Sequence, residues 1–312
     1  MSFTTDTKQE LSKILPANKC CQLAEIAGFL CFSASYPVMN GKLGIKLSID
    51  SPSTARLFIN LIREYFGSKT AFSMGEPKAI TKEKTYNLYI SSDMNAEQIL
   101  REVGILKVRE GSNVFDNWIA DGITKKRCDK KACLRGIFLS SGTISDPAKS
   151  YYFGIGCNNK ERAKEVQKLI NSFGLKSKVT ERKNRYIVYI KEREQIADLL
   201  NIIGAGNQYF KFQDVMITKD LKNKANRGIN CDAANLDKRV GAAQKHIAAI
   251  KLIDSVKGIE SLPDKLYITA LKRMEFPELA LSDLAKEVDP KLTKSGLNHR
   301  LNKISEIADK LR

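Results

Sequence analysis

Two stretches of the chain repeat the same series of hydrophobic and polar patterns. Each begins with a helix-length run rich in small and apolar residues, CCQLAEIAGFLCFSAS from residue 20 and CDKKACLRGIFLSSGTISD from residue 128. Each continues with an alternating stretch that is typical of a strand, KLGIKLSID and SYYFGIGCN. This recurrence predicts two similar halves, at about residues 20–104 and 128–204.

The later parts of the two halves also match. An amphipathic helix follows each strand and ends at a glycine, Gly67 in the first half and Gly174 in the second. A hairpin then ends in YNLYISS or YIVYIKE, and a last helix contains EQILREVGI or EQIADLLNIIGA. This order predicts two αββαββα-like halves that pack through their first helices and form one domain over residues 1–205.

The pattern changes after residue 205. Residues 206–231 begin with a helical stretch and become strongly polar in NKANRGINCDAAN, which predicts a helix followed by a linker. The polar stretch is equally consistent with a contact to a phosphate backbone and with a solvated connector. Residues 232–312 show helical periodicity, which predicts an all-α domain after the α+β domain.

Within this domain, residues 280–312 predict a helix-turn-helix. Ser282 is expected to cap a short helix, DPKL with Pro290 supplies the turn, and Thr293 is expected to cap a second helix. Two short helices joined by a tight turn are typical of DNA-binding proteins. The positions of the second helix that are expected to face inward are Leu297, Leu301, Ile304, Ala308 and Leu311.

The other side chains of this segment are suited to contact DNA. The candidate DNA-binding residues are Ser282, Lys291, Thr293, Lys294, Ser295, Asn298, His299, Arg300, Asn302 and Lys303. Asn298 can pair with an adenine edge, Ser295 or His299 can reach other base edges, and the lysines and the arginine can bind phosphates. The alternative is a helical bundle whose solvated face happens to be basic.

The charge of the chain favours a polyanionic partner. The formal net charge is +17 over 312 residues, with +2 in residues 1–104, +9 in residues 105–204 and +6 in residues 205–312. Double-stranded DNA is favoured over a membrane, because no basic amphipathic segment is flanked by Trp or Phe. No apolar run reaches the roughly 18 residues that a membrane span needs.

The cysteines and histidines argue against a metal centre. The seven cysteines, at 20, 21, 31, 128, 133, 157 and 231, are scattered without a CxxC pair, and the chain has two histidines. We therefore expect no zinc or other metal site, no cofactor and no catalytic residue. The odd cysteine count, and an N-terminus without a basic start and apolar core, predict reduced thiols in the cytoplasm.

The runs IAGFLCFSA and LRGIFLSSG resemble the signature helices of the LAGLIDADG homing endonuclease fold, with Gly28 and Gly136 at the small-residue position. The resemblance implies two helices packed side by side, each ending in an acidic residue that holds a catalytic metal ion. Ser33 and Ser141 stand at those acidic positions, and a neutral hydroxyl is a poor Mg²⁺ ligand. We expect a degenerate scaffold; the alternative is an active endonuclease with ligands from elsewhere, Asp146 being the nearest acid.

This scaffold, together with RGINCDAAN and LTKSGLNHRLNKISEIADKL, resembles the WhiA regulators of Gram-positive bacteria over essentially the whole chain. The resemblance implies a non-enzymatic, nucleoid-associated DNA-binding regulator linked to cell division, chromosome segregation and sporulation. A further alternative is an interaction scaffold, in which the LAGLIDADG-like domain binds a protein partner while the helix-turn-helix holds DNA. The internal repeat removes the need for a homodimer, so a monomer is expected.

Overall fold

The computed structural model describes residues 2–39, 41–68, 70–74, 85–116, 118–182, 185–289 and 291–311. The chain divides into two compact units, and the division falls between Thr218 and Lys219. Each unit has its own hydrophobic core. Among the described residues, no helix has both the length and the apolar composition needed to cross a membrane.

The first unit opens with a short helix and then forms the first half of the repeat. Its helices and strands, in chain order, are α1 (Phe3–Leu11), α2 (Lys19–Ser33), β1 (Ala34–Ser35), β2 (Val38–Met39), β3 (Lys42–Leu43), β4 (Ile45–Ile49), α3 (Pro52–Phe66), β5 (Ala71–Met74), β6 (Tyr86–Ile90), α4 (Ala96–Glu102), β7 (Leu106–Arg109) and β8 (Ser112–Phe115). Strands β2 with β3 and β7 with β8 form two-stranded sheets, which have no counterpart in the predicted repeat.

The second half repeats the main elements of the first. Its elements are α5 (Arg127–Ser141), β9 (Gly142–Ile144), β10 (Phe153–Cys157), α6 (Lys160–Asn171), β11 (Lys178–Arg182), β12 (Arg185–Ile190) and α7 (Arg193–Ile203). The two four-stranded sheets have equivalent strand orders, β1-β4-β6-β5 and β9-β10-β12-β11, and all their pairs are antiparallel. The predicted αββαββα order is therefore confirmed in both halves.

The two central helices, α2 and α5, approach each other closely at their glycines. A Cβ atom on Gly28 would lie 2.4 Å from the carbonyl oxygen of Cys133, and one on Gly136 would lie 2.3 Å from the carbonyl oxygen of Glu25. Any side chain at either position would collide with backbone atoms, so only glycine permits this packing. The expectation that the halves pack through their first helices is confirmed.

The second unit is helical. It contains the C-terminal part of α8 (Gly206–Lys257), followed by α9 (Asp264–Glu275), α10 (Leu281–Val288) and α11 (Lys294–Asp309). Apolar residues from all four helices form its core, among them Ile253, Ala270, Leu284 and Leu301, each with an exposed fraction of 0%. The helix-turn-helix thus belongs to a small α-helical domain.

The predicted linker within residues 206–231 is wrong, because α8 continues without a break from Gly206 to Lys257. The segment lacks proline and is rich in Lys and Ala, while Gly228 and Gly241 each cost only about 1 kcal/mol in a helix. Residues 220–240 are all exposed. A helix that buries neither face has no hydrophobic stripe, and so its sequence resembles that of a connector.

Candidate nucleic-acid interface

Helix α11 presents one apolar and one polar face. Leu297, Leu301 and Ile304 are fully buried against the helical core and Ala308 is 2% exposed, while Leu311 is half-buried. Because these positions recur every three or four residues, they fix the rotation of the helix about its axis. The opposite face is consequently held toward solvent.

The predicted DNA-binding residues lie on that solvent face and in the turn before it, except for Ser282, which belongs to α10. Lys291, Thr293, Lys294, Ser295, Asn298, His299, Asn302 and Lys303 are exposed, as is Ser282, and Arg300 is half-buried. Within the described part of the chain, neither Arg300 nor any lysine of this set forms a salt bridge. These cations are therefore available to an external anion.

The two expected helix caps have different outcomes. Thr293 is the N-cap of α11, and its hydroxyl accepts a hydrogen bond from the backbone N–H of Gly296 at 3.2 Å. Ser282 is not a cap, because α10 begins one residue earlier, at Leu281, after Ala280. The Ala280 carbonyl accepts the first helical hydrogen bonds, from Asp283 and Leu284. Pro290 lies outside the described residues.

Removing the Thr293 hydroxyl should loosen the start of α11. We expect Thr293→Ala to cost about 1 kcal/mol in the stability of the first turn, because one backbone N–H loses its partner. Amide hydrogen exchange of residues 294–297 should become faster by roughly the corresponding factor of 5. Thr293→Ser keeps the hydroxyl and serves as the control. Equal exchange rates in Thr293→Ala and the parent chain would contradict the capping role.

A buried arginine fixes the segment that enters α10. Arg273, near the end of α9, is 2% exposed, and its Nη1 donates a hydrogen bond to the carbonyl oxygen of Leu279 at 2.8 Å. Burial lowers the pKa of Arg273. Burial also lowers the pKa of His246, with Arg273 adding a repulsive contribution. The entry to the helix-turn-helix is therefore anchored from within the unit.

In the first unit, Ser33 and Ser141 are the last residues of α2 and α5. The Ser141 hydroxyl donates to the Ile137 carbonyl of its own helix at 3.3 Å. Asp146 is exposed, and one of its carboxylate oxygens accepts a hydrogen bond from the backbone N–H of Ala148 at 2.9 Å.

A further acid lies near this end of α2 and was not among the residues predicted from the sequence. The charge of Asp116 acts on Cys31, near the end of α2, and its carboxylate forms a 2.6 Å salt bridge with Lys107.

The described side chains therefore assemble no group of three metal-binding donors at the Ser33 and Ser141 ends of the central helices. They do assemble one at the opposite ends, from Cys20, Cys21, Cys128 and Asp129. The cysteines that are scattered in the sequence are therefore partly clustered in the fold, and the expectation that the chain has no metal site stays a prediction. Cysteines that are 107 residues apart in sequence meet because α2 and α5 pack side by side, and CxxC spacing gives no sign of such a cluster.

Known families and proteins match the whole length of the chain. Three family models match: the WhiA N-terminal LAGLIDADG-like domain over residues 19–106, the WhiA LAGLIDADG-like domain over residues 130–222, and the WhiA C-terminal HTH domain over residues 225–308. The "Probable cell division protein WhiA" of Clostridium beijerinckii is 38% identical over 312 residues, which cover 100% of this chain and 99% of the relative.

Two further relatives agree with these matches. The protein of the same description from a Thermoanaerobacter species is 39% identical over 313 residues, covering 100% of this chain and 98% of the relative. The crystal structure of full-length DUF199/WhiA from Thermatoga maritima superposes with a TM-score of 0.61 at 23% identity and covers 99% of both chains. This last similarity supports the fold.

Proposed function

The chain belongs to the WhiA family, and from that premise we propose that it is a non-enzymatic, sequence-specific DNA-binding protein that regulates transcription. The process it serves is cell division, with chromosome segregation and sporulation as the linked events. The relatives' description as probable cell division proteins supports this assignment. The observation that carries the proposal is the exposed polar face of α11, fixed by a buried apolar face on the same helix.

In this proposal α11 is the recognition helix and lies in the major groove of double-stranded DNA. The Asn298 amide offers one donor and one acceptor, which match the N7 and N6 positions of adenine. Ser295, three residues before Asn298, and His299, one residue after it, are also exposed. In this proposal they contact the edges of neighbouring bases. Lys291, Lys294, Arg300 and Lys303 bind phosphates, with Ser282, Thr293 and Asn302 at the edges of the contact.

Lys303 provides a test of the phosphate contacts. We expect Lys303→Ala to weaken binding to all DNA sequences by a similar factor, because phosphates carry no sequence information. The slope of log K against log salt concentration should become shallower by about 0.9, the contribution of one phosphate contact. Salt titrations of the parent and the variant measure this change. An unchanged slope would identify Lys303 as a solvated charge without a DNA contact.

The proposal also states that the LAGLIDADG-like unit does not cleave DNA. Its support is chemical: serine hydroxyls stand where carboxylates would be required, and Asp116 is engaged by Lys107. The net charge of +9 in residues 105–204 suits this unit to add sequence-independent affinity. The unit could also carry a protein partner, and we propose that the chain acts as a monomer on the nucleoid in the cytoplasm.

One experiment tests binding and cleavage together. The full chain is titrated into fluorescent genomic DNA fragments in the presence of Mg²⁺, binding is followed by anisotropy, and the DNA is then separated on a gel. We expect intact DNA and fragments that differ in affinity by at least the roughly 1000-fold typical of specific over non-specific binding. Nicked or cut DNA would overturn the non-enzymatic assignment, and uniform affinity would overturn sequence-specific recognition.

A further inference from the structure

The first turns of the two central helices bring four metal-binding side chains together. Cys21 lies beside Asp129, and further along Gly28 lies beside Cys133, so α2 and α5 run parallel and begin at the same end. Cys20 and Cys21 belong to the first turn of α2, and Cys128 and Asp129 to the first turn of α5. Their ligand atoms all lie within 4.8 Å of one another.

The separations fit a tetrahedral thiolate site. The Asp129 Oδ1 atom lies 3.6 Å from Cys21 Sγ and 3.4 Å from Cys128 Sγ, and the Cys20 ligand atom lies within 4.8 Å of the other three. With Zn–S bonds of about 2.3 Å and a Zn–O bond of about 2.0 Å, tetrahedral geometry separates ligand atoms by roughly 3.5–3.8 Å. The four side chains therefore need to move by only about 1 Å to surround one ion.

Positive charge lies close to the cluster, while the Asp129 carboxylate raises the pKa of the Cys20 thiol and burial raises the pKa of Cys21 to about 12, so an incoming ion has to displace the thiol protons. Both helices direct the positive ends of their dipoles at the cluster, and neither Asn18 nor Lys126 at the N-cap positions forms a side-chain cap. Basic residues surround the α5 ligands in sequence, at 125–127 and 130–131. Helix N-termini and nearby cations offset the negative charge that the thiolates acquire when an ion replaces their protons.

The cluster is also accessible from one side. Asp129 and Cys21 are 4% and 8% exposed, which protects the inner ligands from competing water. Cys20 is half-buried and Cys128 is exposed. An ion can therefore enter past Cys128 and become enclosed by the other three ligands.

We propose that Cys20, Cys21, Cys128 and Asp129 form a structural Zn²⁺ site that joins the two halves of the repeat. Binding exchanges three thiol protons for one Zn²⁺ ion, and with the Asp129 carboxylate this leaves a site with a net charge of −2, which the helix dipoles and neighbouring basic residues offset. Three thiolates and one carboxylate are a closed ligand set without a position for substrate, as in structural zinc sites. The ligands come from both halves, so the ion cross-links α2 to α5.

The test measures the zinc content of the full chain and of two variants, each of which has one cysteine replaced. The proteins are purified under reducing conditions, given Zn²⁺, dialysed and analysed for metal by plasma mass spectrometry. We expect one zinc per parent chain. Loss of a side chain that hydrogen-bonds to a metal ligand typically lowers metal affinity by roughly 10- to 100-fold. Cys128→Ser removes a ligand itself, so we expect it to lower zinc affinity by more than that. Cys231→Ser, which replaces another exposed cysteine, should retain it.

Two further measurements keep the test independent of folding. Cys128 is exposed, so its replacement leaves the core intact, and circular dichroism of the variant should match that of the parent. Co²⁺ in place of Zn²⁺ should give intense thiolate charge-transfer and tetrahedral ligand-field absorption that Cys128→Ser reduces. Equal zinc content in the two variants, or no zinc in the parent, would overturn the proposal. A disulfide from Cys128 to Cys20 or Cys21, trapped by alkylation in intact cells, would overturn it in favour of a redox link.

Discussion

Replacing Arg135 with alanine is expected to lower the free energy of unfolding of the first unit by about 3–5 kcal/mol, because it leaves a buried carboxylate without its partner. Glu25 on α2 is completely buried, and the Arg135 side chain on α5 is 10% exposed. Burial raises the pKa of Glu25, and the Arg135 guanidinium opposes that rise. The stability therefore depends on keeping the two charges together.

The geometry of the pair explains the size of the effect. Arg135 Nε lies 3.0 and 3.1 Å from the two carboxylate oxygens of Glu25, and Nη2 lies 2.5 Å from Oε2. Its Nη1 donates to the carbonyl oxygen of Ile203 at 3.4 Å, the last residue of α7. One guanidinium thus satisfies a buried carboxylate on α2 and a helix end on α7.

The chain offers a matched control and a selective probe. Arg101 and Glu97 form a 2.7 Å pair with side chains 39% and 48% exposed, so Arg101→Ala should cost only about 0.3–0.5 kcal/mol. The only tryptophan, Trp118, lies 6.5 Å from Phe32 of α2 between ring centroids. Its fluorescence during urea unfolding therefore reports on the first unit alone. Equal losses in the two variants would show that the buried pair contributes no more than a surface pair.

Removing both charges should recover much of the loss. The double substitution Glu25→Gln with Arg135→Met takes away the carboxylate together with the guanidinium, and buried ion pairs can often be replaced by neutral side chains at small cost. We expect the double variant to be more stable than Arg135→Ala. If it were less stable, the Ile203 contact or packing of the arginine chain would dominate over the charge pair.

The repeat could be predicted from the sequence because each of its elements leaves a local pattern. The glycines at 28 and 136, the amphipathic α3 and α6 and the paired hairpins all follow short-range periodicity. Contacts between the halves leave no such pattern. In the sequence, Glu25 and Arg135 are 110 residues apart, and nothing near either of them indicates that they pair. In the same way, Cys20 and Cys128 are far apart in the sequence, and nothing indicates that they meet in the fold.

For the helix-turn-helix, the inward and outward faces of α11 could be read directly, since Leu297, Leu301 and Ile304 recur at helical spacing and are buried. The start of α10 could not be predicted in this way. Leu281 and Ser282 are adjacent, and the backbone rather than the serine hydroxyl closes the first turn. The continuity of α8 could not be predicted either, because its middle part, residues 220–240, is exposed on all sides and carries the polar composition of a linker.

Asn298→Ala is expected to weaken binding to preferred DNA sites by roughly 5- to 150-fold, the 1–3 kcal/mol that a bidentate side-chain contact to a base contributes. Binding to random DNA should change little, because the truncated amide makes no phosphate contact in this proposal. The ratio of the two affinities, measured by competition at one salt concentration, is the readout.

Lys303→Ala is the matched control, since both residues are exposed on α11 and only their proposed targets differ. It should lower both affinities and leave their ratio unchanged. A loss of specificity in Asn298→Ala alone assigns base recognition to the amide and phosphate binding to the lysine. If Asn298→Ala instead lowered both affinities equally, Asn298 would contact the backbone, and recognition would have to rest on Ser295 and His299, one turn before and one residue after it.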